Sequence, residues 1–168
     1  MKVEDYLIKD WEERETGVFL KENEDWILIK SIPVDFQVDG YKLLRKKYLK
    51  ERRENTNKSL KKVLELKRLK FEEPVGFKFM SPFEFLKWSE KEYGCFEFQD
   101  DIEDELFYGV IQKSKEKSFF IDFIKSDGTV DLDFDFEFSE EDIRVISFGS
   151  DYFESISLLY KSNKLKSV

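Results

Sequence analysis

Residues Gly17 to Asp39 align without a gap on Gly109 to Asp131, and nine of the 23 positions are identical: Gly17/Gly109, Val18/Val110, Lys21/Lys113, Glu24/Glu116, Ile29/Ile121, Ile32/Ile124, Asp35/Asp127, Val38/Val130 and Asp39/Asp131. Three further pairs, Phe19/Ile111, Ile27/Phe119 and Leu28/Phe120, are apolar in both copies. A tandem duplication restricts the fold more than any single motif, because each half must then be one supersecondary unit of the same kind. Past Asp39 the copies slip by two residues, which pairs Leu49 with Ile143.

The local patterns inside each copy read as strands. Gly17 to Lys21 and Asp25 to Ile32 form two strands joined by the polar turn Glu22-Asn23-Glu24, with Tyr41 to Arg45 and Tyr48 to Arg52 following. Asn55, Thr56 and Asn57 offer caps for a helix from Lys58 to Lys70, whose stripe is Leu60, Val63, Leu64, Leu66 and Leu69. The segment before Gly17 fits a short helix or a strand. A second helix has sharper punctuation: Ser81 as cap, Pro82 in the first turn, Glu84 closing a capping box, Met80 and Phe85 as a staple, and Gly94 at its end. The second copy then supplies strands at Cys95 to Phe98, Leu106 to Lys113, Ser118 to Lys125, Val130 to Phe138 and Ile143 to Phe148. Asp127-Gly128 forms a turn, and Asp151 with Glu154 starts a last helix running to about Lys161, before a polar tail.

The expected class is therefore α+β and mainly β: two tandem small β-barrel-like repeats, each followed by a helix, with a further helix between them. The expected boundaries are 1–70 for the first repeat, 71–94 for the connector and capped helix, and 95–168 for the second repeat. Each repeat resembles the Sm-like type of small barrel, a likeness of fold that carries no function by itself.

Within the second copy, Val130 to Phe138 alternates strictly. As a strand it would place Val130, Leu132, Phe134, Phe136 and Phe138 on one face and Asp131, Asp133, Asp135 and Glu137 on the other. Like charges in a row repel, so such a face calls for a basic partner unless it is merely solvated. The loop Gln99 to Glu105 adds Asp100, Asp101, Glu103, Asp104 and Glu105. These nine carboxylates are the candidate partner-binding residues.

Charge is split along the chain. Residues 41–70 hold 13 Lys and Arg against 3 Glu, whereas residues 92–160 hold 5 basic against 19 acidic side chains, within a net charge of −8. Such polarity bears on partners and association rates. The absence of histidine removes the commonest general base and the usual zinc ligand. No phosphate-binding glycine loop occurs. Asp131, Asp133 and Asp135 start like a calcium loop but lack its glycine. The reading is thus of a protein that is not an enzyme and takes no metal or cofactor. The lone Cys95 suits a small buried residue in a reducing compartment. No stretch resembles a signal peptide or a membrane span, which points to a cytoplasmic protein, monomeric when free.

The run Trp26-Ile27-Leu28-Ile29, Ile32-Pro33-Val34-Asp35, Val38-Asp39-Gly40-Tyr41 and Lys47-Tyr48-Leu49 resembles a small-barrel module of bacterial immunity proteins. These protect cells from polymorphic toxins, including those of contact-dependent growth inhibition. The resemblance implies a cognate toxin domain as partner and carries over no family binding residues. A nuclease toxin would bring a basic, phosphate-binding cleft, for which aligned carboxylates compete. Two alternatives stand beside it. One is an RNA- or DNA-binding barrel using the basic region 45–68, although no aromatic side chains interleave with the lysines of its helix. The other is a structural assembly protein.

Overall fold

The computed structural model describes residues 1–166, which divide into a first unit, Met1–Phe79, and a second that begins at Met80. In the first unit lie β1 (Val3–Ile8), β2 (Arg14–Glu22), β3 (Trp26–Ser31), β4 (Tyr41–Arg45), a 3-10 turn (Lys46–Tyr48), β5 (Leu49–Glu54) and α1 (Lys58–Lys67). All pairings are antiparallel, in the open order β5-β1-β2-β3-β4. The segment before Gly17 is thus strand. Its partners explain why: Tyr6 lies opposite Glu15 on β2 and Arg52 on β5, and its ring is fully buried.

β3 reads Trp-Ile-Leu-Ile and is buried on both faces, so it shows a continuous apolar run in place of alternation. Gly17 permits the close approach of β2 to β3, since a Cβ there would meet Ile29 Cδ1 at 2.7 Å and the Lys30 carbonyl at 2.8 Å. Val3, Val18 and Ile32 form a core with Leu60 and Leu64 of α1. α1 starts as expected at Asn57, whose side chain accepts from Leu60 N at 3.0 Å, but it stops at Lys67. Arg68 turns into the left-handed region at φ 52°, which takes Leu69 off the helix, while Leu66, still helical, faces away from Leu60 and Leu64; both are exposed. The buried stripe is therefore narrower than the sequence suggests.

The second unit contains α2 (Pro82–Tyr93), β6 (Phe96–Gln99), β7 (Phe107–Ser114), β8 (Ser118–Phe123), β9 (Glu137–Ser139), a 3-10 turn (Glu140–Asp142), β10 (Val145–Phe148) and α3 (Asp151–Lys166). Its strands are antiparallel in the order β10-β6-β7-β8-β9, the same permutation as in the first unit. α2 carries the complete capping box, with Pro82 in its first turn and Gly94 closing it at φ 94°. It belongs to the second unit: Phe85 packs on Phe148, and the Glu90 carboxylate accepts from Ile111 N at 2.9 Å. α3 is capped by Ser150, whose hydroxyl accepts from Phe153 N at 3.1 Å, with Asp151 and Glu154 in the first turn. It runs beyond Lys161 to Lys166, and the last two residues of the expected tail lie outside the described residues. No helix is long and apolar enough to cross a membrane.

Equivalent hydrogen bonds recur in the two copies. Ile32 N donates to the Thr16 carbonyl at 2.9 Å and Ile124 N to that of Tyr108 at 2.8 Å; Asp39 N reaches Ser31 O at 3.0 Å and Asp131 N reaches Phe123 O at 2.9 Å. Each copy has a bulge at the same place, between Phe19 and Lys21 and between Ile111 and Lys113. The two-residue slip is equally concrete. Ile27 pairs with Leu44 and Phe119 with Phe138, and the two 3-10 turns end at Leu49 and Ile143.

The slip overturns one expectation. Val130 to Phe138 is not a strand: Val130 makes an isolated bridge to Ile124, Leu132 and Asp133 form a turn, and only Glu137–Ser139 pairs regularly. Asp131 starts the turn, its carboxylate accepting from Asp133 N at 3.1 Å. Leu132 is 91% exposed and Phe136 56%, so the inferred apolar face does not exist as one face. Two extra residues must be absorbed between positions anchored in both copies, and the chain bulges out to do so.

Candidate functional site

The bulged segment returns beside the acidic loop, and together they border a groove of about 570 Å3. Its walls are Phe107 at the start of β7, Phe123 at the end of β8, and Phe134 and Phe136 from the bulge. Phe123 and Phe134 stack with centroids 4.9 Å apart, while Phe107 leans on Phe138 at 4.8 Å and Phe98 at 5.3 Å. The groove thus rests on the unit's aromatic core. Ile102 and Leu106 extend its apolar lining and are exposed.

Asp100, Asp101, Asp104 and Glu105 form the acidic part of the lining, and no lysine or arginine belongs to it. The loop that carries them is ordered by its own bonds. Asp100 Oδ1 accepts from Ile102 N at 3.1 Å, Glu105 N donates to Ile102 O at 3.1 Å, and the Gln99 side-chain amide holds the Glu103 carbonyl at 2.6 Å. Burial pushes the Asp100 carboxyl above its ordinary range, with the neighbouring charge of Asp101 adding to the effect and the Ile102 N–H opposing it.

The nine predicted carboxylates are therefore separated into groups. Four line the groove. Glu103 shares their loop but does not line it, and Asp131, Asp133 and Asp135 sit on the bulge that delivers Phe134 and Phe136. Glu137 is engaged locally, accepting from Ser118 Oγ at 2.5 Å and from Lys115 Nζ at 2.9 Å, and those bonds hold its carboxyl below the ordinary range. The carboxylates do not form the single row expected on a strand. Among the described residues, no group of three or more His, Cys, Asp or Glu is gathered as a metal site. Cys95 is buried, and burial pushes its thiol up to about 12, well away from the reactive thiolate.

The aromatic walls were missed from sequence, yet the repeat contains their signal. Under the observed alignment, Phe107 falls where the first copy has Glu15, and Phe123 where it has Ser31. Counted back along β9, Phe136 falls where the first copy has Lys42 and Phe134 where it has Gly40. In the first unit Lys42 and Glu15 form a half-buried ion pair at 2.7 Å. The first-copy counterpart of the acidic loop carries Trp11, which is buried. Four aromatic rings have taken the positions of a closed polar surface.

The basic region behaves differently. Arg52 donates to Glu4 at 2.9 and 3.0 Å and to Glu22 at 3.0 Å, and its guanidinium lies 5.0 Å from the Phe19 ring centre. Burial alone would raise the Glu4 carboxyl, but hydrogen bonds from Lys2, Tyr6 and Arg52 outweigh it and hold the group low. Arg53 pairs with Asp5, Lys61 with Glu54 and Lys46 with Glu22, while Lys67 caps the Phe36 carbonyl at 2.7 Å. Much of the positive charge is spent inside its own unit. Compared with known proteins, the chain matches no family model, no curated protein and no solved structure.

Proposed function

We propose that the protein is an immunity protein that binds a cognate bacterial toxin in the cytoplasm and neutralises it, the toxin domain being basic and a nuclease the activity that suits such a surface. The observation that carries this reading is the groove: aromatic walls, Phe136 exposed and Phe107, Phe123 and Phe134 partly buried, edged by four carboxylates, with the rings at positions where the sister repeat has an ion pair and small residues. Exposed apolar surface rimmed by charge is typical of an interface awaiting its partner. The carboxylates steer a basic domain during encounter, and the rings supply the buried area that slows dissociation. The protein acts without catalysis or cofactor and is monomeric until it meets the toxin.

For the fold, the finer reading is that each unit is a small barrel of the Sm-like type. The shared order with the last strand beside the first, and the 3-10 turn before that last strand, support it. Nucleic-acid binding through residues 45–68 is the weaker reading, because Arg52, Arg53, Lys61 and Lys67 already have partners within the first unit.

The test is co-expression with the C-terminal domain of the large protein encoded immediately upstream, paired with calorimetry. Growth rescue and binding in the nanomolar range are expected. Absence of both overturns the proposal, and salt-sensitive RNA binding in its place would establish the alternative.

A further inference from the structure

We infer that the groove of the second unit is a seat for an arginine side chain of the partner protein. This deepens the proposed function and rests on it. The groove has an aromatic lining in which Phe136 is exposed while Phe123 and Phe134 stack on each other, and the face of an exposed ring carries the negative side of its quadrupole, which attracts a cation. The edge carboxylates of Asp100, Asp101, Asp104 and Glu105 are acceptors without a competing cation in the lining. A guanidinium satisfies both demands. It is planar and weakly hydrated, so it stacks on a ring at small desolvation cost, and its fork of five donors reaches carboxylates at the ring's edge. An ammonium is a compact, strongly hydrated charge that can also sit over a ring, as Lys113 does on Phe120 at 3.9 Å, but in a groove it loses more hydration and cannot bridge ring and carboxylates with a planar fork.

The molecule itself shows this chemistry. In the first unit Arg52 lies over Phe19 at 5.0 Å and Tyr6 at 5.7 Å while donating to Glu4 and Glu22. There the aromatic faces, the carboxylates and the arginine all belong to one chain. That site is not the counterpart of the groove, which falls where the first unit has the Lys42–Glu15 pair; it shows only that rings and carboxylates of this chain hold a guanidinium together, whereas the lining of the groove, among the described residues, contains no arginine or lysine. At about 570 Å3 the groove has room for the arginine together with an adjoining apolar side chain, which Ile102 and Leu106 would cover.

The experiment titrates the isotope-labelled full chain with a capped peptide Gly-Arg-Leu-Arg-Gly and with its lysine counterpart Gly-Lys-Leu-Lys-Gly, following backbone amide signals. The arginine peptide should move the signals of Asp101, Ile102, Leu106 and Phe136, and bind about fivefold more tightly than the lysine peptide. Phe136→Ala, at an exposed position, should remove that preference, and Asp101→Asn should weaken both peptides. Equal binding of the two peptides, shifts confined to other surfaces, or no shifts at millimolar peptide would each overturn the inference. Arginine-selective shifts without growth rescue would leave the seat standing and remove the toxin reading. Rescue without arginine selectivity would do the reverse.

Discussion

At one pair of equivalent places the two units present opposite surfaces. The first closes it with Lys42 and Glu15, half-buried and 2.7 Å apart; the second opens it with Phe136 and Phe107. The hydrogen bonds that set the register, the bulge and the glycine at the strand crossing are kept in both copies. Divergence has concentrated at the β8–β9 edge, where the ladder is shortened from five pairs to three, and has left the β2–β3 and β7–β8 ladders alike. A duplicated domain carries its own control, and positions that changed from polar or small to aromatic, two of them on a strand pair kept in both copies and two on the bulge peculiar to the second, mark where a partner is expected.

The largest effect that would break this symmetry lies at Tyr6 and Phe98, which occupy equivalent positions in β1 and β6. Phe98 contacts Phe96, Phe107, Phe119 and Phe138, so Phe98→Ala should cost about 3–5 kcal/mol in chemical denaturation and collapse the groove as well. Tyr6 differs in using its hydroxyl to bind Glu4.

Next comes the ion network around Glu4 in the first unit. Arg52→Leu strips the buried Glu4 of its guanidinium and should cost about 2 kcal/mol at neutral pH. Because the Glu4 carboxyl is held below its ordinary 4.5, the folded chain binds that proton less readily than the unfolded one. Its contribution is complete above that ordinary value and is lost as pH falls through the folded-state value. Denaturation of wild type and Arg52→Leu across this range should converge at acid pH; parallel curves would remove Glu4 from the account.

A smaller effect compares the two glycines. An added Cβ at Gly17 meets the Lys30 carbonyl at 2.8 Å, whereas at Gly109 the corresponding Asp122 carbonyl lies 3.0 Å away. Gly17→Ala should cost about 2 kcal/mol and Gly109→Ala about 1 kcal/mol. Equal costs would mean that the two crossings are equally tight.

The smallest change in stability should accompany Phe136→Lys, which places the first unit's residue type in the second. At an exposed site it should alter stability by less than about 0.5 kcal/mol, yet weaken partner binding measured by calorimetry. Unchanged affinity would exclude the groove as the interface.

Much of the architecture could be read from residues. Ser81, Pro82, Glu84 and Gly94 delimit α2 because caps act within one turn, and the nine identities between the copies predict a common register because they include Gly17/Gly109 and the strand positions around them. The segment from Val130 to Phe138 shows the limit. Its alternation states which side chains would share a face if a strand formed, but a strand also needs a partner in register, and the two extra residues deny it one. The basic helix shows the same limit, because its charge is plain in sequence while its partners, Glu54 of β5 for Lys61 and the Phe36 carbonyl of the β3–β4 loop for Lys67, are set by the fold. What the sequence by itself determined is the repeat, the strands of its shared 23-residue register and the ends of α2, all governed by neighbours along the chain. Only the tertiary structure decided that Phe107, Phe123, Phe134 and Phe136 meet the acids of a distant loop, since convergence of separate segments depends on how the ladder folds back on itself.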